Sequence, residues 1–154
     1  MTTYADVTFQ QLTASDQSRI KELLTLFGQA FDEVETYSGQ RPSQAYMQRL
    51  FAQDCFIVLT AIKHGTVVGG LVAYELMKLE QERSEIYLYD LAVASGHRRQ
   101  GIATALIRAL RYLAVERGAY VIFVQADGGD DPAIALYTKL GTPEAVCHFD
   151  ITVS

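Results

Sequence analysis

Apolar and polar positions along the chain keep two rhythms, and the switches between them mark the elements. Thr3 to Leu12 alternates loosely and predicts a first strand. Ile20, Leu23, Leu24, Phe27, Ala30 and Phe31 then return at helical spacing, behind Thr13 or Ser15 as candidate caps. Asp32 to Arg41 has no period and reads as a loop, with Ser38-Gly39 as a turn and Pro42 as a break. Ser43 is placed to cap a short helix reaching about Gln53. Cys55 to Ile62 and Thr66 to Leu76 read as strands, joined into a hairpin by Lys63-His64-Gly65. A polar connection, residues 78–84, leads to a strand from Glu85 to Val93, and a short turn, Ala94 to His97, ends it. Ile102, Leu106, Leu110 and Leu113 fall four, four and three apart, one face of a helix that Gly118 can stop. Ala119 to Ala126 is nearly all apolar, as a strand buried on both faces would be. Asp131-Pro132 reads as a capped helix start, with the helix ending at Gly141, and Val146 to Val153 reads as a last strand.

That order is β-α-α-β-β-β-α-β-α-β, with room for a small extra strand near Thr142. It predicts one α/β domain over residues 1–154: a mixed, twisted sheet of six to seven strands with helices on both faces. The length is enough for a proper core, and 49% apolar with 20% charged residues is a globular composition. No apolar stretch is long enough for a membrane helix, and the N-terminus lacks a basic-then-apolar leader, so a cytoplasmic protein is expected. Cys55 and Cys147 are read as reduced thiols, and His64, His97 and His148 lack ligand spacing, so no metal is expected. A net charge of −5 argues against nucleic acid as a partner. It leaves open a cationic small substrate, drawn by an acidic face.

The chemistry concentrates between the Glu85 strand and the helix that begins at Ile102. A strand feeding a glycine turn and a helix N-terminus makes an anion site, because first-turn N–H groups lack partners and the dipole adds positive charge. No Ser, Thr, Asp or Asn precedes Ile102 to cap that turn; Arg98 and Arg99 stand nearby instead. A phosphate would satisfy both donors and arginines. Neither a Walker loop nor a Rossmann glycine pattern occurs in the chain.

Arg98-Arg99-Gln100-Gly101-Ile102-Ala103 resembles the R/Q-x-x-G-x-G/A signature of the GCN5-related N-acetyltransferase (GNAT) superfamily, and its place between a strand and an amphipathic helix sharpens the likeness. The resemblance covers almost the whole chain and implies a sheet splayed between its fourth and fifth strands. Acetyl-CoA would lie in that gap, paired with backbone groups of Leu91, Ala92 and Val93. Its pyrophosphate would sit on Arg98, Arg99, Gln100, Gly101, Ile102, Ala103 and Thr104. Tyr137 falls in a Y-x-x-x-G segment similar to the family's, with Thr142 where an aromatic is usual; the likeness makes it the acid for the departing thiolate. A phenol of pKa near 10 suits a thiolate of pKa near 8.5.

Asp90 is the first candidate for the base and Glu85 the reserve. Strict alternation puts Tyr87 and Tyr89 on the face opposite Asp90 unless a bulge intervenes. Asp127, Asp130 and Asp131 cluster after the next strand, with Asp131 expected on the helix cap and Asp127 and Asp130 free for cations. Asp150 joins them as a substrate-binding candidate, and Asp32, Glu33 and Glu35 precede Tyr37. Together with His148-Phe149-Asp150-Ile151, these segments are similar to the GNAT aminoglycoside 3-N-acetyltransferases. That branch implies acetyl transfer to a drug's 3-amino group, with resistance as the outcome, and a homodimer by analogy. The competing readings are a GNAT enzyme for a polyamine, amino sugar or peptide amine, and a silent acyl-CoA-binding module.

Overall fold

A computed structural model describes residues 6–154. In chain order its elements are β1 (Val7–Gln11), α1 (Gln17–Ala30), a π-helical turn (Glu35–Gly39), α2 (Gln44–Phe51), β2 (Phe56–Lys63), β3 (Thr66–Met77), β4 (Ser84–Val93), a 3-10 turn (Ser95–His97), α3 (Ile102–Arg117), β5 (Ala119–Val124) and α4 (Asp131–Leu140). The strands lie in sequence order, antiparallel except for the parallel pair β4–β5, which α3 connects. A parallel neighbour requires such a crossover, whereas the other connections are hairpins or excursions. The β2–β3 hairpin turns on His64 and Gly65, both at positive φ, as a tight two-residue turn demands.

Helices cover both faces. On one, α3 buries Ile102, Leu106, Leu110 and Ala114 against Ile57, Leu59, Leu71, Ile86 and Leu88, and α4 adds Leu136 and Tyr137 at the margin. On the other, α1 buries Ile20, Leu23, Leu26 and Phe27 against Val58, Val67 and Ala92, with Met47 and Phe51 of α2 beside them.

Several expectations need correction. The sheet among the described residues has five strands, not six to seven. Residues 142–154, where alternation predicts the last strand, carry no ladder, because a strand exists only when a neighbouring edge receives it. β5 is consequently an edge strand, with Tyr120 and Val121 exposed rather than buried on both faces. Residue 16 stands at the start of α1 in place of Thr13 or Ser15, and Asp16 folds its carboxylate back onto the Thr13 N–H at 2.7 Å. The expected first strand begins at residues outside those described; its described part is β1.

Candidate active site

The register of β4 creates the site. Val72 of β3 faces Asp90, but Ala73 faces Leu88, so Tyr89 is an extra, unpaired residue. Such a bulge resets which way the side chains point. Before it, Ile86 and Leu88 face α3; after it, Leu91 and Val93 do. Asp90 and Ala92 therefore join Tyr87 on the α1 face. Alternation alone separates Asp90 from Tyr87, and one bulge reunites them.

The second feature is where pairing with β5 stops. The parallel ladder ends at Leu88 with Val124, while β4 continues to Val93 along β3. Residues 89–93 thus present a backbone edge that β5 does not pair. An extended ligand with amide groups can bond such an edge as an added strand.

Beyond β4 the chain folds into a compact turn. Arg98 Nε donates to the Val93 carbonyl at 3.1 Å, which fastens the turn to the strand end. Arg99 (φ 60°) and Gly101 (φ 80°) both lie in the left-handed region. A turn of this kind gathers N–H groups into an anion-binding concavity. No side chain caps α3, which begins directly after Gly101. Two guanidiniums, a helix dipole and an uncapped first turn therefore converge over residues 98–104.

Asp90 is half-buried on the α1 face, and the Tyr37 hydroxyl donates to its Oδ1 at 3.4 Å. Burial pushes the Asp90 carboxyl above its usual range; the Tyr37 bond works against that shift and the Glu33 charge adds to it. Tyr37 is pushed up to about 12, by burial first and then by the charge of Asp90. From Asp90 a ribbon of rings runs across the face: Phe56, Tyr74, Tyr89, Tyr87 and Phe123, each centroid within 5.9 Å of the next. Tyr87 stacks on Phe123 at 4.6 Å and its hydroxyl donates to Gln125 at 3.0 Å. A raised carboxylate beside electron-rich rings can accept a proton from, and hold, an alkylammonium.

Tyr137 lies on the other face of the sheet, packed at the margin of the α3 core. Burial, then the Asp130 charge, raises its pKa, so the phenol keeps its proton through neutral pH. The helix that carries it is capped by Asp130, whose Oδ1 accepts from the Ala133 N–H at 3.3 Å. This corrects the expectation that Asp131 caps α4 and leaves Asp130 free: Asp131 is the first helical residue, and Pro132 stands second. Asp127 is exposed in the preceding turn, where its carbonyl accepts from the Asp130 N–H.

Two predicted residues are not brought to this cluster within the chain. Glu85 lies five positions back along β4, about 17 Å from Asp90. There Tyr120 donates to it at 2.5 Å and Lys78 lies 3.4 Å away. The Tyr120 bond, then the Lys78 charge, lower its pKa. Asp150 is exposed and, among the described residues, pairs with His148, at 2.9 Å. Conversely, Tyr37, Tyr74 and Phe123 join the site although no sequence motif marks them. The run of acids before Tyr37 is the one visible hint of the first.

The comparisons with known proteins agree with this geometry. The model of the acetyltransferase (GNAT) family matches residues 20–142. A solved aminoglycoside acetyltransferase from an uncultured soil metagenomic sample is 58% identical; the match covers 96% of this chain and 99% of that one, with a TM-score of 0.94. Another from such a sample, crystallised with sisomicin, is 32% identical over 97% and 98%, with a TM-score of 0.89. Among curated proteins, streptothricin acetyltransferase of Streptomyces lavendulae is 30% identical over 53% of this chain and 42% of its own. N-acetyltransferase family 8 member 2 of Rattus norvegicus is 34% identical over 55% and 38%. The matched stretch thus spans less than half the length of these curated relatives. With its family model matched across α1 to α4 and its mixed, splayed sheet, this chain belongs to the GNAT family of acetyltransferases.

Proposed function

We propose that the protein transfers an acetyl group from acetyl-CoA to the 3-amino group of an aminoglycoside antibiotic, by direct attack within a ternary complex. The observation that carries this reading is the half-buried Asp90 on a ribbon of tyrosines, beside the open edge of β4. A polycationic amino sugar matches such a face, through its charges and through cation–π contacts. The 58% identity to an aminoglycoside acetyltransferase, and the sisomicin bound to a 32% identical relative, support the same substrate class. The residues present suit acetyl-CoA. Arg98, Arg99 and the N-terminus of α3 complement a pyrophosphate, and the backbone of Leu91, Ala92 and Val93 offers an edge to the amide-bearing arm.

In this mechanism Asp90, directly or through water, takes the proton of the acceptor ammonium. The freed amine attacks the thioester carbonyl and forms the amide. The carbon–sulfur bond breaks as Tyr137 donates its proton to the departing thiolate. The second proton that the nitrogen sheds on becoming an amide passes through water to the Tyr137 phenolate, and Asp90 releases the first to solvent. Each drug loses one positive charge, which is the chemical basis for resistance. Neither cysteine takes part, so initial rates should show lines that intersect, not the parallel lines of a covalent intermediate. The test is an acceptor panel of gentamicin, sisomicin, spermidine and a peptide amine. Turnover concentrated on the two drugs supports the proposal; turnover on spermidine or peptide alone replaces it with another amine acceptor. Acetyl-CoA binding without turnover on any amine would leave a binding module.

A further inference from the structure

The segment between α1 and α2 carries acids and a tyrosine but no motif, and it is fastened from several sides. Just past α1, Asp32 takes a left-handed turn (φ 54°), and the Glu33 N–H then donates to the Gly28 carbonyl at 2.8 Å. The π-helical turn Glu35–Gly39 follows, with the Tyr37 N–H on the Glu33 carbonyl at 3.2 Å. Gly28 makes this fit possible: a Cβ there would stand 3.1 Å from the Val34 Cα and 3.3 Å from the Tyr37 Cβ. Arg41 holds the far end, donating to the Ser38 hydroxyl at 3.4 Å and to the Thr25 hydroxyl of α1 at 2.5 Å. π-helical turns are rare and often stand at functional sites.

Rings hold the tyrosine itself. Tyr37 meets Phe27 edge-on at 5.9 Å and Phe31 at 5.7 Å, and those two stack on each other at 5.5 Å. Phe27 is fully buried, so the stack is anchored in the core. A phenylalanine at position 37 would pack against those rings equally well. What the hydroxyl adds is one bond, to Asp90 Oδ1 at 3.4 Å. That is long for two oxygens, as catalytic hydrogen bonds often are before substrate binds. It occupies one carboxylate oxygen, and among the described residues no hydrogen bond falls on Oδ2.

The surroundings of Asp90 make that bond matter. The titratable groups that face it are Glu33 and Tyr37 from this segment, Tyr74 from β3 and Tyr87 from its own strand, with Tyr89 alongside. α1 packs here with Leu23, Leu26 and Phe27, which are apolar. None of these groups is a cation. Burial and the Glu33 charge both disfavour the carboxylate, and the Tyr37 hydroxyl is the group that favours it. We propose that Tyr37 is a positioning residue for acetyl transfer: its hydroxyl fixes the Asp90 carboxylate through Oδ1 and leaves Oδ2 for the acceptor ammonium. The role in transfer rests on the reading of Asp90 as the base; the hydrogen-bonded pair does not.

Tyr37→Phe keeps the ring stack and removes the bond. Carbon NMR follows the titration of the Asp90 carboxyl in the free protein, its signal assigned by its loss in Asp90→Asn. The midpoint should rise in Tyr37→Phe by about half a pH unit or more, because the lost bond favoured the charged form. The acid limb of kcat with gentamicin should move up with it, which lowers the rate about threefold below the midpoint. Acetyl-CoA affinity should not change. Asp90→Asn and the double variant should be equally slow, since the hydroxyl acts only through the carboxylate. Losses that multiply mean a structural role for Tyr37 and overturn the proposal. A midpoint that stays in place overturns it whatever the enzyme turns over, and so does a midpoint that rises while the kinetic limb does not. If no aminoglycoside is acetylated, the functional reading fails and takes the role in transfer with it, while the NMR midpoint still decides whether Tyr37 holds Asp90.

Discussion

In the proposed mechanism Asp90 and Tyr137 divide the proton chemistry between two faces of one sheet, and each assignment can be tested by removing a single group. Tyr137→Phe should cut kcat by about 10²–10⁴-fold while leaving acetyl-CoA affinity unchanged, as expected when a general acid is lost from a packed position. Isothermal titration beside steady-state rates separates the two effects, and an unchanged kcat would remove the tyrosine from the mechanism. Asp90 must be charged to accept a proton, and burial raises its pKa. The rate should therefore fall as pH drops through a value above the ordinary aspartate range. Asp90→Asn should lose about 10²-fold or more in kcat and lack that limb. The stability effect has the opposite sign. A carboxylate whose folded pKa is raised costs stability once pH exceeds that value, so Asp90→Asn should melt higher at neutral pH, and the difference should vanish in acid. A near-normal rate with the pH limb intact would exclude Asp90 as the base. The elements that carry Asp90 and Tyr137, and the turn that joins β4 to α3, were legible because their sequence signals are local. Tyr37 was not, because its partner lies 53 positions away and meets it only through the fold.

At the scale of elements, the sheet depends on close approach at Gly70. This residue pairs with Thr60 on one side and Ala92 on the other, under α1. A Cβ there would stand 2.4 Å from a Leu23 methyl and 2.9 Å from the Leu59 carbonyl. The methyl can swing away, but the carbonyl belongs to the ladder. Gly70→Ala should therefore destabilise the fold by about 1–3 kcal/mol, measured by urea unfolding, and a change within error would contradict the packing described. Most elements were readable from period and punctuation: Ser43 caps α2, Gly118 ends α3, and His64-Gly65 turns the β2–β3 hairpin. The misses share a cause. The choice of Asp130 over Asp131 as cap and the unpaired final segment are decided by neighbours, as is the bulge at Tyr89, which alternation left open. The run Cys147 to Val153 alternates as a strand should, yet alternation names no partner edge.

At the scale of the whole molecule, the proposed reaction has an acidic protein receive a cationic acceptor and an anionic donor. The net charge of −5 makes the two arginines of the 98–104 turn a local exception within an acidic surround. On the proposed reading, that contrast sorts the substrates by sign, the polycation toward Asp90 and the phosphates toward the turn. The most direct measurement is thiol release from acetyl-CoA with gentamicin as acceptor, with NMR of the product to locate the new amide. Stoichiometric thiol release and a single acetyl group on the 3-amino nitrogen are the expected result. Acetylation elsewhere on the drug would contradict the assigned orientation of the acceptor, and no release with gentamicin alongside release with another amine would contradict the proposed substrate.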